Sequence, residues 1–304
     1  MAATSSDERR HGDAVTPQMF GDRPGETLPA GFDRIEKTAQ GSFSEIWKVR
    51  ESSTGYFFAL KCLLGDWNDD VAATQLLRNE AWIGQSVDSR HVVRVEQSGA
   101  GCEGPWNLLE WLDGETLERR LRGNRRLSVG EAVWIARQCA QGLCDLAEAG
   151  FSHGDVKPAN VFLTGDGNVK VIDLGFARSL QEPHITENTQ YLTGTAAYMA
   201  PETLTRGNVN PLTRDMYSLG IMLFRMLSGR LPFETANSDS VLRLHRSARP
   251  PQLESRCRAA PSELIRLVEQ LLAKQPIRRP QSYQTLLRTL LRLELATLPL
   301  RFAA

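Results

Sequence analysis

Residues 153–175 read HGDVKPANVFLTGDGNVKVIDLG, and this stretch decides how the rest of the chain is interpreted. Two short apolar runs rich in β-branched residues, 161–163 and 169–172, flank the turn-forming sequence Gly-Asp-Gly-Asn at 165–168. Alternating runs on either side of such a turn predict a β-hairpin. A hairpin would bring the residues that follow its second strand back beside those that precede its first.

Four polar side chains of different chemistry surround this hairpin: Asp155, Lys157 and Asn160 before it, and Asp173 after it. One carboxylate can orient a hydroxyl group, while an amide and a second carboxylate supply the oxygen ligands that a divalent metal prefers. The lysine offers a cation to a migrating phosphate. If the hairpin forms, we expect these groups to converge on a site for phosphoryl transfer.

With these residues in this order, the chain resembles the protein kinase family in its catalytic loop and in the metal-binding Asp-Leu-Gly triplet at 173–175. The resemblance implies that Asp155 accepts the proton of the substrate hydroxyl and that Lys157 steadies the γ-phosphate. It also implies that Asn160 and Asp173 hold Mg²⁺, or Mn²⁺ as an alternative, beside ATP. Lysine at 157 is typical of serine/threonine kinases. The loop sequence HGDVKPANV resembles that of bacterial serine/threonine kinases of the eukaryotic type.

The catalytic loop departs from the family pattern at Gly154, where an arginine is commonest. In members that carry the arginine, a phosphate on the activation segment pairs with it and switches the enzyme on. Because glycine cannot make that pair, we expect activity to depend less on phosphorylation of the nearby hydroxyl-bearing residues. These residues are Thr186, Thr189, Tyr191 and Thr193.

A lysine and a glutamate upstream fit the same family. Ala59-Leu60-Lys61 is similar to the strand that presents the phosphate-binding lysine, and Glu80 lies on a predicted helix over 71–87. Taken alone, a lysine at a strand end is usually solvated. In kinases, however, a helix glutamate pairs with the strand lysine, so we expect Glu80 to position Lys61 on the α- and β-phosphates of ATP.

The segment 38–46, TAQGSFSEI, resembles the glycine-rich loop that covers the nucleotide, although only its middle glycine, Gly41, is kept. Ala39 and Ser44 take the other two glycine positions, and Ile46 follows them. Backbone amides can still approach phosphates past these small side chains, but a positive φ would cost more than at glycine. We therefore expect a stiffer loop and weaker nucleotide binding, with a plain β-turn as the alternative interpretation.

The adenine site is assigned by position. Residues 110–114, EWLDG, are similar to the connector between the two kinase lobes. The resemblance implies that backbone groups of Glu110 and Leu112 bond the base, that Leu109 closes the back of the pocket, and that Ala59 lies beside it.

Four further residues match structural positions of the family. Thr195 and Glu202 lie in GTAAYMAPE, and Arg279 matches the arginine that pairs with the glutamate. Asp215 matches an aspartate near a helix start that braces the backbone of the catalytic loop, and its alternative role is a simple N-cap. Together they are expected to support the site and a ledge for a peptide substrate.

These motifs predict an α+β, bilobal protein kinase fold. Residues 1–30 are polar and rich in Gly and Pro, and we expect a disordered leader there. The small lobe, 31–112, should contain a five-stranded antiparallel sheet, with its last two strands at 91–96 and 107–111, and one helix over 71–87. The predicted inward face of that helix consists of Ala72, Leu76, Asn79, Ile83 and Val87. The larger lobe, 113–296, should be mostly helical, with a core stripe on a helix that ends near Gly150, and 297–304 should form a tail.

Composition narrows the class of protein. The 304 residues contain 36 Lys plus Arg and 36 Asp plus Glu, so no net field attracts nucleic acid or an anionic membrane. Five cysteines without CxxC spacing suggest reduced thiols, and no apolar run approaches the ~20 residues of a spanning helix. We expect a cytoplasmic location, no nucleic-acid partner and no membrane span.

The function predicted from the sequence is transfer of the γ-phosphoryl group of ATP to Ser or Thr hydroxyls of protein substrates. Two alternatives belong to other classes. A pseudokinase used as a binding module would fit the altered glycine-rich loop and Gly154. A small-molecule phosphotransferase of the aminoglycoside or choline type would fit His-Gly-Asp at 153–155, but Lys157 and the Ala-Pro-Glu segment argue against it.

Overall fold

The computed structural model describes residues 29–101, 104–181, 196–204, 210–235 and 237–301. They form a small lobe built on one sheet and a larger lobe built mostly of helices, which confirms the predicted α+β bilobal fold. Residues 186, 189, 191, 193 and 195, to which the sequence assigned roles, lie outside the described residues.

The elements of the small lobe, β1 to β5 with one helix, all precede those of the larger lobe in the chain. The strands are β1 (Phe32–Gln40), β2 (Ser44–Glu51), β3 (Phe57–Leu63), β4 (Val95–Gly101), β5 (Gly104–Glu110), β6 (Gly114–Thr116), β7 (Phe151–Ser152), β8 (Val161–Thr164), β9 (Val169–Val171) and β10 (Arg178–Ser179). The α-helices are α1 (Val71–Ser86), α2 (Leu117–Arg120), α3 (Val129–Glu148), α4 (Pro211–Ser228), α5 (Ser238–Ser247), α6 (Ser262–Leu271) and α7 (Tyr283–Arg301).

The sheet of the small lobe is antiparallel in the order β1-β2-β3-β5-β4, as predicted. The fourth strand was placed at 91–96, but β4 begins only at Val95. The preceding residues pair with the larger lobe instead: Val93 N–H donates to the carbonyl of Val171 at 2.9 Å. The backbone hydrogen bonds of His91 and Val93 therefore join the two lobes, whereas the Arg94 carbonyl still accepts from Glu110 N–H of the sheet at 3.1 Å.

Helix α1 matches its predicted range to within one residue, but its buried face is rotated. Of the residues predicted to face inward, Ile83 is buried while Ala72 and Leu76 are only half-buried. Ala73 and Leu77, one position further along, pack under the sheet instead. The helix contacts two surfaces at once, and a single apolar stripe could not reveal the second of them.

The core of the larger lobe surrounds α3, which packs against α4 and α7. The predicted stripe on α3 is buried throughout, which confirms its assignment as core: Ala132, Ile135, Ala136, Cys139, Leu143 and Leu146. Burial raises the pKa of the Cys139 thiol to about 12, so this cysteine is an inert, protonated core residue.

Two boundaries in the larger lobe differ from expectation. Helix α4 begins at Pro211 and is capped by the side chain of Asn210, which accepts a hydrogen bond from Leu212 N–H at 3.0 Å. Asp215 therefore lies inside the helix, and the N-cap alternative for this residue is wrong. Helix α7 continues to Arg301, past residue 296, where the lobe was expected to end.

Backbone strain explains the glycine at 154. Gly154 has φ +79°, and a Cβ atom built there would lie 2.5 Å from the carbonyl oxygen of Phe176. Gly167 has a similar φ of +83° but no atom within 4 Å of an added Cβ. A comparison of Gly154 with Gly167 therefore separates the energetic cost of a left-handed backbone from the cost of the steric contact.

We expect Gly154→Ala to lower the free energy of unfolding by about 1–3 kcal/mol more than Gly167→Ala, because only the first adds a clash to an unfavourable backbone conformation. Urea unfolding of both variants measures the difference. Equal midpoints for the two variants would show that the contact with Phe176 is relieved at no cost.

Candidate active site

The hairpin predicted from the sequence is present. Strands β8 and β9 pair antiparallel, with Val161 opposite Val171. At the base of the hairpin, Ile172 N–H donates to the carbonyl of Asn160 at 2.9 Å. Asp173 therefore follows directly on a residue that is bonded to Asn160, and the polar groups on both sides of the hairpin lie together as expected.

Asp155 lies at the centre of the catalytic loop and is 3% exposed. Its Oδ2 accepts from the Asn160 amide at 2.9 Å and lies 2.6 Å from the Lys157 ammonium. Its Oδ1 is buried and has no hydrogen-bond partner among the described residues. The carboxylate is thus held firmly by one oxygen, and the other retains its capacity to accept a proton or a hydrogen bond.

His153, to which the sequence assigned no role of its own, fixes the direction of this loop. The buried ring accepts from Asp155 N–H through Nδ1 at 3.2 Å, and its Nε2 lies 3.2 Å from the carbonyl of Ile172. The first contact requires an unprotonated Nδ1 and the second an N–H at Nε2, which together describe one neutral tautomer. The ring therefore ties the loop to the end of the hairpin.

Asp215 also holds the backbone of the catalytic loop, as the family resemblance implied. Its carboxylate accepts from the backbone N–H groups of His153 and Gly154 at 2.8 and 2.9 Å, and it is 2% exposed. Burial raises the pKa of the Asp215 carboxyl, while the hydrogen bonds from the two backbone N–H groups oppose that shift. Two bonds from one buried side chain leave the loop little freedom.

Glu202 and Arg279 form the second buried connection. Arg279 donates to the two carboxylate oxygens of Glu202 at 2.6 and 2.8 Å and also to the carbonyl of Thr213. Its guanidinium carbon lies 4.8 Å from the ring centre of Tyr217. A bidentate pair of this kind anchors the turn after residue 200 to the helical core.

Across the cleft, Lys61 joins three elements. Its ammonium lies 2.9 Å from Glu80 on α1 and 3.0 Å from Asp173 after β9. Burial disfavours the ammonium, but the carboxylates of Asp173 and Glu80 outweigh it and raise the pKa of Lys61 above its ordinary value. Burial likewise opposes ionisation of Asp173, yet Lys61 lowers the pKa of Asp173 below its usual range. These directions favour the charged forms of Lys61 and Asp173, whereas burial raises the pKa of Glu80 against the opposing effect of Lys61.

Asn107 was predicted only as part of a strand, but it completes this cluster. Its amide donates to Glu80 at 3.2 Å and to the carbonyl of Leu77 at 2.9 Å, and the residue is fully buried. Asn107 and Lys61 are opposite each other in the sheet register, so their side chains share one face. No sequence motif marks such a cross-strand partner.

Asn79 links α1 to the Asp-Leu-Gly segment. Its amide nitrogen lies 3.4, 2.9 and 2.6 Å from the carbonyl oxygens of Leu174, Gly175 and Ala177. The sequence indicated Asn79 only as part of an inward face. The next residue, Glu80, contacts Lys61. Adjacent positions on one helix therefore hold both the lysine and the segment that follows Asp173.

The oxygen atoms near Asp173 suit a hard divalent cation. Both hydrogens of the Asn160 amide are directed at Asp155, which leaves its Oδ1 as an acceptor, and one Asp173 oxygen remains beyond the contact with Lys61. Asp173 has φ 63°, a rare conformation for a residue other than glycine. No cluster of three His, Cys, Asp or Glu side chains occurs in the described part of the chain. Two protein ligands fit Mg²⁺ or Mn²⁺ that is otherwise bound by water and phosphate.

Some residues assigned to the nucleotide share one face of the small-lobe sheet with Lys61. Ile46 is opposite Lys61 in the sheet, and Ala59 lies two residues before Lys61 on the same face. Ala59 and Leu112 are half-buried and pack with Leu109 in one apolar cluster. A flat aromatic base would find apolar contacts here next to the lysine.

The altered glycine-rich turn carries no left-handed residue. Gly41 N–H donates to the carbonyl of Ser44 at 2.7 Å, and neither Ala39 nor Ser44 has a positive φ. The extra cost of a positive φ at a residue other than glycine therefore does not arise at Ala39 or Ser44. Lys37 spans the turn, with its ammonium 2.9 Å from Gln40 and 3.1 Å from Glu45.

The connector between the lobes is held by its side chains. Glu110 contacts the ammonium of Lys170 and the backbone N–H of Arg94, both at 2.8 Å. The backbone groups of Leu112 make no hydrogen bond to any residue in the described ranges. This combination leaves Leu112 able to bond a ligand.

A family model described as the protein kinase domain matches residues 32–290. The chain belongs to the protein kinase domain family. The glycine at 154, the neutral His153 and the altered glycine-rich turn are thus features of a member of this family.

The kinase domain is similar to several curated bacterial proteins. It is 33% identical over 244 residues to a Corynebacterium efficiens protein named serine/threonine-protein kinases drp72, covering 79% of this chain and 46% of that protein. It is 31% identical over 263 residues to PknA of Corynebacterium glutamicum, covering 85% and 55%. PknA of Mycobacterium tuberculosis is 29% identical over 265 residues, covering 86% and 60%. The chain therefore spans about half the length of these relatives.

Within the described residues, the helices are too short or too polar for any of them to cross a bilayer.

We expect Asn79→Asp to lower the free energy of unfolding by about 1–3 kcal/mol, because a carboxylate would face three carbonyl oxygens without an N–H to offer them. Urea unfolding followed by tryptophan fluorescence measures the loss. Gln75→Glu adds the same charge on the exposed side of α1 and should change the free energy by less than about 0.5 kcal/mol. If the two variants unfold alike, the three contacts do not hold α1 to the segment.

Proposed function

We propose that this protein is an ATP-dependent serine/threonine protein kinase that transfers the γ-phosphoryl group of ATP to Ser or Thr hydroxyls of proteins. The observation that carries the proposal is the convergence of Asp155, Asn160 and Asp173 around one hairpin, with Lys61 reaching Asp173 from the opposite lobe. The printed names of the bacterial relatives, all serine/threonine-protein kinases, support it.

In this proposal Asp155 orients the acceptor hydroxyl and takes its proton through the buried Oδ1. Asn160 holds the carboxylate of Asp155 and His153 holds its backbone N–H, so little reorganisation accompanies the transfer. Lys157 lies 2.6 Å from the same carboxylate and is positioned to contact the γ-phosphate as it moves. Proton acceptor and phosphate-binding cation are thus neighbours.

Lys61, held by Glu80, is proposed to contact the α- and β-phosphates. The turn that includes Ala39, Gly41 and Ser44 would cover them from above. Asn160 and Asp173 are proposed to hold Mg²⁺ or Mn²⁺, which when bound offsets negative charge on the phosphates.

The base of ATP is proposed to lie against Ile46 and Ala59 and to bond backbone groups of Glu110 and Leu112.

The support residues favour a protein substrate. Glu202 and Arg279 anchor the segment that ends in Ala-Pro-Glu, and Asp215 braces the loop beside it. Thr195 is proposed to act with them from outside the described residues. We expect ATP and Ser/Thr-containing proteins as partners and a cytoplasmic location. A small-molecule phosphotransferase would need no such anchored segment.

The test is transfer of labelled γ-phosphate to a generic basic protein with Mg²⁺. We expect Asp155→Ala to lower turnover by roughly 10²–10⁴, the usual contribution of a positioned proton acceptor. Asp69→Ala removes an exposed carboxylate distant from the site and serves as the matched control. Transfer only to small alcohols, or nucleotide binding without any transfer, would favour the two alternatives, and full activity of Asp155→Ala would refute the assigned role.

Lys61→Met tests the phosphate contact separately from the chemistry. We expect loss of transfer, together with loss of most of the rise in melting temperature that ATP and Mg²⁺ give the parent protein, because the ammonium no longer meets the phosphates. The melting curve without nucleotide serves as the control for folding. A shift with ATP as large as that of the parent would contradict the contact.

A further inference from the structure

A cavity of about 480 Å³ opens beside the catalytic loop, on surfaces that the nucleotide assignment does not use. Lys157 and Ala159 of the loop form one wall, and Leu231 lies among the residues on the other. The ammonium of Lys157 is 2.6 Å from Asp155, so the cavity begins one side chain away from the carboxylate proposed to receive the hydroxyl proton. A residue flanking the acceptor Ser or Thr would reach it.

An ion pair dominates the lining of this cavity. Arg225 donates to the two carboxylate oxygens of Glu118 at 2.7 and 2.8 Å, and to the hydroxyl of Tyr198 at 2.5 Å. These three residues all line the cavity. The contacts occupy both oxygens of Glu118 and fix the guanidinium, while Nε and one hydrogen of Nη2 on Arg225 stay available.

The remaining charges are mostly positive. Arg230 is exposed, and its guanidinium has no partner in the described part of the chain. Glu234 is the other carboxylate of the lining, and one of its oxygens already accepts from Leu231 N–H at 2.9 Å. Three cations, Lys157, Arg225 and Arg230, therefore line the cavity against two carboxylates, Glu118 and Glu234.

We propose that this cavity receives an acidic side chain, Asp or Glu, of the substrate polypeptide close to the acceptor Ser or Thr, with Arg225 and Arg230 as the residues that recognise it. This inference rests on the proposed function. A carboxylate would gain charge-assisted hydrogen bonds from both guanidinium groups. A Lys or Arg at the same substrate position would meet like charges and be rejected.

The experiment uses a set of peptides with one acceptor Ser and otherwise Ala, in which Glu or Lys is placed at each of the three positions on either side. We expect at least one position where kcat/KM for Glu exceeds that for Lys by about tenfold, which corresponds to about 1.4 kcal/mol. Arg230→Glu and Arg225→Gln should each reduce that ratio to about one or below, since they remove the recognising charge. Arg266→Ala, an exposed arginine on α6, is the matched control and should keep the ratio.

The possible outcomes show separately whether the acidic-residue preference fails and whether the proposed kinase function fails. Transfer to the all-Ala peptide without any preference for Glu would overturn the inference alone, as would a ratio that both arginine variants retain. Absence of transfer to every peptide and to a generic protein would overturn the proposed function and the inference together. Melting curves of the variants identify any that fail to fold, and Arg230→Glu, which breaks no side-chain contact among the described residues, keeps the test decisive if Arg225→Gln does not fold.

Discussion

The ammonium of Lys61, shared by Glu80 and Asp173, is the interaction on which the arrangement of the two lobes depends. This ammonium joins three elements: the sheet of the small lobe, helix α1 and the segment after the hairpin. A charge that is 7% exposed is costly unless it is paired, and removing either carboxylate would leave it poorly compensated. The three elements must therefore be positioned together, and the cleft between the lobes takes its shape from that requirement.

A second set of constraints holds the catalytic loop from the other side. Asp215 bonds the backbone at His153 and Gly154, and the ring of His153 connects the loop to the hairpin. These groups are buried and carry no exposed charge, so their contribution is geometric. The loop presents Asp155 in one orientation because its backbone donors and acceptors are already used.

The sequence predicted the fold correctly, and it named most of the residues that the structure brings together at the candidate site, for identifiable reasons. The hairpin and the stripe on α3 follow from local periodicity, which a single element determines. The pairing of Lys61 with Glu80 came from the family resemblance, because no local pattern relates residues on different elements. What could not be predicted were contacts between elements that carry no motif, such as Asn107 with Glu80, and the shift of β4, whose preceding residues bond to the larger lobe. Neither Ala39 nor Ser44 has the positive φ that would cost more than at glycine, and the stiffer loop and weaker nucleotide binding stay predictions.

The amide of Asn79 has two hydrogens for three carbonyl oxygens, so its bonds to the turn after Asp173 are shared and depend on close approach. The next residue on the helix is Glu80. Moving α1 outward by even a fraction of its width would withdraw the partner of Lys61 and release that turn in the same movement. Because Asn79 and Glu80 are consecutive residues of one helix, a displacement of α1 would disturb the environment of the Lys61 ammonium and the turn after Asp173 at the same time.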